Sequence, residues 1–430
     1  MKYLPINNHL FIKNRAKFTA QMKPKSLAVF NSNDTFTTGA DSTLPFEQSR
    51  DLFYLSGADQ EESILVLFPD AIDPNHKEIL FLTETSKLIE IWYGAKYSKE
   101  EAIKVSGIKT IYWLSEFDKV FYDLMTEAES VYFNTNEHYR QSVVLETRED
   151  RFIKKCKQDF PAHKWEKSGQ IMQQIRGVKE PEEVEQMQTA CDITNNGFRR
   201  ILPFVKPGIM EYEIEAEFMH EFLRSRSKGF AYTPIIASGY SACVLHYIEN
   251  NKACKGGDML LLDVGAEYAN YSSDMTRTIP VNGKFSKRQK EVYNAVLRVK
   301  NEATKMLVPG EYWANYHKEV GKLMTSELLG LGLISKADVQ NEDPNWPAYK
   351  KYFMHGTSHH LGLDTHDYGA LKMPMEANMV FTVEPGIYIP EENMGIRIED
   401  DVVIQKNGVP FNLMRNIPIE VEEIEDLMNS

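Results

Sequence analysis

Five side chains in the second half of this 430-residue chain are of the types that bind metal ions. Each lies in a short apolar or otherwise distinctive stretch, where a charge without a partner would be destabilising. A buried carboxylate usually lies beside a cation or beside a group that shares its proton. Four carboxylates and one imidazole are enough to hold two divalent ions, which predicts a metal-dependent hydrolase. The five residues are Asp263, Asp274, His359, Glu384 and Glu399.

Asp263 and Asp274 are eleven residues apart. A fully extended segment of that length spans about 36 Å. The two ions of a dinuclear site lie only about 3.5–4 Å apart, so the chain must reverse between the two aspartates. The polar stretch 268–272 is typical of a turn and predicts a hairpin there. In the alternative, Asp263 caps a turn and Asp274 lies on a solvated strand.

The segment 353–368 holds four of the eleven histidines of the chain, and histidines this dense are seldom plain core residues. Glycines in the segment argue against a continuous helix, so helical spacing is not used to group the histidines. A histidine-rich zinc site is one alternative. Because the other candidate ligands are carboxylates, the set favours Mn(II), with Co(II), Fe(II) or Zn(II) also possible. The histidines are His355, His359, His360 and His366.

Arg397 and Glu399 are two residues apart, which predicts that they lie on the same face of one strand. Arg397 could pair with a ligand carboxylate or bind a substrate carbonyl. The alternative is a solvated charged face that also includes Asp401. His246 follows apolar residues, and by itself such a histidine is more often an ordinary hydrogen-bonded residue than a functional one.

Composition excludes several functions. The net charge of −13 argues against nucleic-acid binding, because phosphate affinity comes from clustered Lys and Arg. No stretch approaches the length of a membrane span, and the N-terminal residues lack the apolar core of a secretory signal. The four scattered cysteines indicate reduced thiols rather than a disulfide framework. We therefore expect a cytoplasmic protein that binds neither nucleic acid nor membrane.

The length predicts two domains, 1–165 and 166–430. In the first, apolar runs at 63–68, 78–82 and 110–114 predict buried strands, and helical pieces such as 118–129 lie between them. This alternation is typical of an α/β domain. The domain has no constellation of metal ligands or nucleophiles, so we expect it to be structural or to shape the site from outside.

The second domain begins with long amphipathic helix, and Pro181 followed by two acids predicts a new helix start. A weak internal repeat follows. The segments beginning at 204 and 306 both run through Pro-Gly into a helix and then into strand-like sequence. Two similar halves with a site between them would explain the repeat, and ordinary Pro-Gly turn chemistry is the alternative.

Four segments of the second domain together resemble the pita-bread-fold metallopeptidases, and more narrowly the Xaa-Pro aminopeptidase (aminopeptidase P) family. They are DVGAEYANYSSDMTRT (263–278), HGTSHHLGLDTHD (355–367), TVEPGIY (382–388) and GIRIEDD (395–401). The stretches 45–57 and 90–102 are similar to the N-terminal domain of that family. The implied fold is an α/β N-terminal domain plus an α+β pita-bread C-terminal domain with pseudo-two-fold symmetry.

The resemblance also implies a dinuclear metal site. Asp274 and Glu399 would bridge two divalent ions, Asp263 would complete one ion, and His359 with Glu384 would complete the other. The family's catalytic residues near the metals match His246, His355, His366 and Arg397, with Glu384 serving in both roles. Family members are commonly dimers or tetramers, and Trp92 matches a tryptophan that closes a neighbouring subunit's site in tetramers.

The implied activity is release of the N-terminal residue from peptides with proline in second position, through attack by a metal-bridging hydroxide. Glu384 would accept a proton from the water, His246 and His355 would stabilise the oxyanion or orient the amide, and His366 would act near the leaving nitrogen. Asp263 is a candidate to bind the free N-terminus of the peptide. A prolidase, which cuts Xaa-Pro dipeptides, is the main alternative.

Three further alternatives agree less well with the sequence. Methionine aminopeptidase leaves the N-terminal domain unexplained. A pita-bread protein that binds partners without metal predicts substituted ligands, and here all five candidate ligands are intact. A creatinase-type hydrolase, which works without metal, is disfavoured for the same reason.

Overall fold

The structure, a computed structural model, describes residues 2–135, 138 and 144–430. The chain divides into two units, Tyr3–Arg176 and Gly177–Ser430. The boundary expected at residue 165 stays a prediction. The elements of the first unit are α1 His9–Thr19, β1 Ser26–Asn31, α2 Arg50–Ser56, β2 Ile64–Leu67, β3 Glu78–Leu82, α3 Lys87–Tyr93, α4 Lys99–Ser106, β4 Thr110–Trp113, α5 Phe117–Glu127, β5 Ser130–Phe133, α6 Arg148–Asp159, β6 Lys164–Lys167 and α7 Gly169–Gly177.

The first unit is built on one mixed sheet of order β4-β3-β2-β1-β5-β6. Antiparallel pairing joins β1 to β2 and β2 to β3, and the outer pairs are parallel. Alternate residues of β1, such as Leu27 and Val29, pack against Phe117 and Phe121 of α5. The expected α/β architecture is confirmed, because the predicted strands and helix are β2, β3, β4 and α5.

The second unit mixes helices with short antiparallel ribbons. Its elements are α8 Pro181–Ile201, α9 Glu211–Arg224, β7 Ile235–Ser238, β8 Met259–Val264, β9 Glu267–Tyr268, β10 Tyr271–Ser272, β11 Met275–Pro280, α10 Lys287–Met306, α11 Trp313–Gly330, α12 Lys336–Gln340, β12 Val380–Val383, β13 Gly386–Ile389, β14 Met394–Arg397, β15 Asp400–Val403, β16 Phe411–Asn412 and α13 Val421–Met428. As predicted, α8 starts with proline in its first turn.

The same order of elements occurs twice in the second unit. A pair of long helices, α8 and α9, precedes the antiparallel sheet β11-β8-β7, and a second pair, α10 and α11, precedes the sheet β12-β15-β16 and the ribbon β13-β14. This repeat matches the two halves expected from the sequence. Among the described residues, no helix has both the length and the apolar character that crossing a membrane requires.

The chain reverses between Asp263 and Asp274, as predicted. Tyr268 pairs with Tyr271, so Ala269 and Asn270 form a two-residue turn with φ of 53° and 67°. Positive φ at both central residues is the conformation that connects tightly twisted hairpin strands. After this turn β11 runs back along β8. The reversal brings Asp274 alongside the end of the strand that carries Asp263.

The prediction that Arg397 and Glu399 share one strand is wrong. β14 ends at Arg397, and β15 begins at Asp400, because β14 pairs with β13 whereas β15 pairs with β12. Glu399 lies in the crossing between the two sheets, and its N–H donates to the carbonyl of Thr276. Arg397, Glu399 and Asp401 are all buried, which excludes a solvated charged face.

Candidate metal centre

Asp263 and Asp274 meet at a tyrosine hydroxyl. The Tyr232 hydroxyl lies 2.6 Å from Oδ1 of each aspartate. One O–H group donates to only one carboxylate at a time, so the second close contact between oxygens requires another proton or a cation. The N–H of Asp274 donates to Oδ2 of Asp401 at 3.0 Å. Both the backbone and the carboxylate of Asp274 are therefore held in place.

His359 and Glu384 are positioned by β12. The N–H of His359 donates to the Thr382 hydroxyl at 3.1 Å, and the N–H of Glu384 donates to the Thr357 carbonyl at 2.7 Å. Nδ1 of His359 contacts the carbonyl of His360 at 2.9 Å. Because a carbonyl only accepts, Nδ1 carries a proton, as in most metal-binding histidines. Nε2 of His359 then faces Oδ2 of Asp274 at 3.4 Å and Oε1 of Glu384 at 3.7 Å.

Glu399 completes the group from the side of β11. The Thr276 hydroxyl donates to Oε2 of Glu399 at 2.6 Å. One ligand atom from each of Asp274, His359 and Glu399 lies within 4.8 Å of the others. The contacts through Tyr232 and His359 add Asp263 and Glu384 to this group. All five residues predicted as ligands are therefore brought together.

The electrostatics of the site favour bound cations. Burial, and then the charges of Asp274 and Glu384, raise the pKa of Glu399 well above its usual range. Burial raises the pKa of Glu384 to about 7, against the lowering effects of His359 and Arg397. Carboxylates that oppose each other's ionisation in this way become stable anions when divalent cations lie between them. The oxygen-rich donor set therefore fits divalent metal.

Arg397, Tyr388 and His355 form a chain of hydrogen bonds beside the ligands. Arg397 donates through Nη2 to Asp263 at 2.5 Å and through Nη1 to the Tyr388 hydroxyl at 2.9 Å. The Tyr388 hydroxyl lies 2.7 Å from Nε2 of His355, and Nδ1 of that ring contacts the Gly356 carbonyl at 2.8 Å. Burial, and then the charge of Arg397, lower the pKa of His355 to about 3. The ring is neutral and accepts from Tyr388.

The remaining candidate residues lie at the edge of the site. The ring of His366 is 4.0 Å from that of His359, between centroids, and its side chain is exposed. His246 is also exposed, and it lies near enough to His355 that a positive charge on it would lower the pKa of the His355 ring. The neighbouring His360 is buried against Phe381, and burial lowers its pKa to about 3. His360 is therefore a core residue.

Sequence reasoning missed the hydroxyl groups of the site. Tyr232 contacts two ligands, Tyr388 connects Arg397 to His355, and Thr276 donates to Glu399. Thr276 and Tyr388 lie within the segments that carry the family resemblance, but a Tyr or Thr in an apolar run is ordinary strand composition. A carboxylate in such a run is conspicuous because its burial is costly, whereas a hydroxyl is not.

The second unit is an α+β unit of two similar halves, and it holds a cluster of carboxylates large enough for two metal ions. A fold and a site of this kind define a metal-dependent hydrolase. The chain belongs to metallopeptidase family M24, whose profile matches residues 185–406. The aminopeptidase P N-terminal domain matches residues 11–132. The expected fold, a metallopeptidase domain preceded by this N-terminal domain, is confirmed.

Relatives of known name cover almost the whole chain. The chain is 35% identical to the Xaa-Pro aminopeptidase of Escherichia coli over 98% of both chains. It is 32% identical to human Xaa-Pro aminopeptidase 3, over 92% of this chain and 79% of the human protein. These matches confirm a metal-dependent aminopeptidase and favour it over the prolidase alternative.

Solved structures give the same result. A zinc-substituted E. coli aminopeptidase P in complex with product is 32% identical, with a TM-score of 0.88 over 99% of both chains. Aminopeptidase PepP of Pseudomonas aeruginosa is 30% identical, also with a TM-score of 0.88, over 100% of this chain and 99% of that one. Both units of the chain are covered by these structures.

Proposed function

We propose that this aminopeptidase releases the N-terminal residue from peptides that have proline in second position. The observation that carries the proposal is the meeting of all five predicted ligands at one point of the second unit. Relatives that cover both units bear the name Xaa-Pro aminopeptidase, which supports proline in the second position.

Asp263, Asp274, His359, Glu384 and Glu399 would hold two divalent ions, and Mn(II) is our choice. Four carboxylates and one imidazole form a hard, oxygen-rich donor set, which suits Mn(II) better than a thiolate or histidine-rich site would. When bound, the ions supply Lewis acidity and lower the pKa of water to about 7. Metal analysis of protein purified without added metal tests this choice, and bound zinc in place of manganese would contradict it.

Glu384 is the proton acceptor in the proposed hydrolysis. Water oxygen bonds to the scissile carbonyl carbon, Glu384 takes the proton that is lost, and the bond from that carbon to the prolyl nitrogen then breaks. The proton held by Glu384 passes to the leaving nitrogen, so charge and atoms balance. A carboxylate can serve in both halves of this transfer, and Glu384 lies beside His359 within the group of candidate ligands, where the attacking water would be held.

The histidines and Arg397 differ in how they are held. Both ring nitrogens of His355 already have hydrogen-bond partners. We therefore assign to His355 the role of orienting Glu384, whose Oε2 lies 3.7 Å from Nδ1 of His355. His246 and His366 are exposed and can reach a bound peptide. We assign His246 to the carbonyl oxygen as its negative charge develops and His366 to the region of the leaving nitrogen. Arg397 holds Asp263.

The activity is tested with a pair of tripeptides that differ only in the second residue, proline or alanine. We expect Mn(II)-loaded protein to release the first residue from the proline peptide, and chelation or Asp274→Ala to abolish release. Equal cleavage of both peptides would refute the proline preference. Full activity of the Asp274→Ala variant would refute the metal site.

A dipeptide arm separates this activity from that of a prolidase. Both activities cleave the same bond, but a prolidase requires the carboxylate of the proline residue to be free. We expect the tripeptide Xaa-Pro-Xaa to be cleaved at least as fast as the dipeptide Xaa-Pro. Cleavage of the dipeptide alone would favour the prolidase.

We propose that the enzyme is a homo-oligomer, a dimer or a tetramer, in which Trp92 contacts a neighbouring subunit. The side chains of Leu88, Ile91, Trp92 and Tyr93, on the seven-residue helix α3, are 65–78% exposed. A contiguous apolar patch of this kind is typical of a protein contact. Light scattering should give a multiple of 49.5 kDa, and Trp92→Ala should lower it. A wild-type monomer would refute the proposal.

We propose a cytoplasmic location. The four cysteines are free thiols, and burial raises the pKa of Cys156 and Cys254 to about 12. Free buried thiols persist in reducing compartments. Fractionation of the source cells tests this, and recovery of the enzyme from an oxidising compartment would contradict it.

A further inference from the structure

His246 lies on a long connection between β7 and β8, residues 239–258. Apart from the short 3-10 turn Gly239–Cys243, the connection is irregular, and the histidine is exposed. A side chain on such a segment contributes to catalysis only when its backbone is held near one position, because small misplacements weaken catalytic contacts. The hold on this connection therefore matters for the site.

A single carboxylate, that of Glu211 at the start of α9, contacts the last residue of β7 and two residues of this connection. Oε1 of Glu211 accepts from the N–H of Ser238 at 2.8 Å and from its hydroxyl at 2.7 Å. Oε2 accepts from the Tyr247 hydroxyl at 2.7 Å and from the N–H of Lys252 at 3.0 Å. The contacts hold Ser238 just before the connection, Tyr247 directly after His246, and Lys252 six residues after His246.

Glu211 is fully buried, with 0% of its surface exposed. A buried carboxylate is tolerated where several donors point at it, and both oxygens of Glu211 accept two hydrogen bonds. The first turn of α9 adds a favourable helix dipole. Any replacement that turns one acceptor into a donor would leave buried groups without partners.

Tyr247 links the contacts of Glu211 to the metal centre. Its ring packs in a buried cluster that includes Leu261 and Tyr388. Tyr388 bonds His355 and Arg397, as described above. With Tyr247 held inside by Glu211, the adjacent His246 is left on the exposed side.

We infer that Glu211 is a positioning residue for His246, acting through Tyr247 and the backbone of residues 238–252. The partners of its carboxylate described here are Ser238, Tyr247 and Lys252, and none of these is a candidate metal ligand. The inference rests on the role proposed above for His246. It predicts that loss of the Glu211 acceptors disturbs catalysis only as far as His246 contributes to catalysis.

The first test measures hydrogen exchange of residues 239–252 by mass spectrometry. Glu211→Gln replaces one acceptor oxygen with an NH2 group that opposes two donors, so we expect exchange in this segment to be at least about tenfold faster than in wild type. Glu213→Gln is the matched control, since Glu213 lies on the same helix but is exposed, and its carboxylate accepts from the N–H of Met210. Unchanged exchange in Glu211→Gln would overturn the inference.

The second test is a double-mutant cycle with His246→Ala, assayed on the proline tripeptide. We expect Glu211→Gln to lower kcat/KM by about 10–100-fold in the wild-type background. In the His246→Ala background it should change kcat/KM by less than about twofold, because the residue it positions is gone. Equal losses in both backgrounds would indicate a general structural role and overturn the inference.

Two further outcomes separate this inference from the proposed function. If wild type does not cleave the peptide, the proposed function fails. Hydrogen exchange alone then decides whether Glu211 holds the connection in place. If His246→Ala equals wild type, the role of His246 fails and so does the inference. Should Glu211→Gln not fold, Tyr247→Phe removes one of the four bonds and must show the same dependence on His246, with a smaller loss.

Discussion

At the residue scale, the direction of hydrogen bonds decides what each group beside the metals can do. Arg397 only donates, so the Tyr388 hydroxyl accepts from it and donates to His355. That bond requires an unprotonated Nε2 on His355, in agreement with its low pKa of about 3, caused first by burial and then by Arg397. A neutral His355 adds no positive charge beside the ligands.

Tyr388→Phe should therefore impair catalysis without unfolding the protein. The substitution removes one partner from Arg397 and one from His355 while it keeps the buried ring. We expect kcat to fall by about 10–100-fold with KM changed much less, because the lost bonds orient groups for the reaction. Steady-state kinetics on the proline tripeptide measure this. Tyr312→Phe, at a half-exposed tyrosine, is the control, and equal kinetics for the two variants would contradict the prediction.

His317 should make the protein sensitive to acid. Burial, and then the charge of Lys350, lower the pKa of His317 to about 4, and the ring lies against Trp313. The unfolded chain binds a proton as pH falls through about 6.5, whereas the folded protein does not until about 4, so stability falls with pH in this window. When the pH is lowered from 7.5 to 5, the free energy of unfolding of His317→Gln should therefore rise by about 2 kcal/mol relative to that of wild type.

Urea unfolding at the two pH values measures that difference. His220→Gln is the control, since His220 is exposed on α9. A gap between wild type and His317→Gln that does not change with pH would show that His317 does not titrate differently in the folded protein.

Which residues of the site are visible in the sequence depends on the cost of burying them. Asp263 and Glu384 stand out because each ends an apolar run, where a charge needs a partner. Tyr232 does not, since aromatic residues belong in such segments. The hydroxyl groups that contact the ligands can be identified only from the folded structure.

At the element scale, a turn that depends on local sequence could be predicted, whereas the point at which the chain passes from one sheet to another could not. The turn between Asp263 and Asp274 follows from polar residues between apolar runs, and the structure confirms it. The break between β14 and β15 has no such signal, because apolar and polar residues still alternate from Ile396 to Glu399, past the end of β14 at Arg397. Which sheet a strand joins depends on distant segments, here β13 and β12.

The hairpin that carries Asp274 requires glycine at position 265. A Cβ atom there would lie 1.8 Å from the carbonyl oxygen of Ser273, which is backbone and cannot rotate away. Gly265→Ala should therefore destabilise the protein by about 1–3 kcal/mol and weaken metal binding through the displaced Asp274. Thermal unfolding and metal titration by calorimetry measure the two effects.

Gly330→Ala is the matched control for this change. Gly330 ends α11, and a Cβ atom there would have no atom of the described residues within 4 Å. Alanine at a helical position should be neutral or slightly stabilising. If Gly265→Ala behaves like Gly330→Ala, the close approach between residues 265 and 273 does not constrain the site.

At the scale of the whole molecule, the metal site couples folding to metal binding. The carboxylates lie near the end of β8, just before β11, just after β12 and just before β15, so the site exists only when these strands are paired. Their mutual repulsion destabilises the folded second unit until cations bind. Ligands that bind only the folded state add stability in proportion to the logarithm of their concentration.

Mn(II) should therefore raise the unfolding temperature, and a chelator should lower it. At a free concentration about 100 times Kd, one ion adds about 2.7 kcal/mol, which corresponds to about 5–10 °C for a unit of this size. Asp274→Asn should unfold at nearly the same temperature with and without Mn(II), because it removes a charge shared with His359 and Asp263 at the centre of the site. Calorimetry across a manganese series tests both expectations. A wild-type protein whose transition ignores manganese would show that the five residues do not bind it.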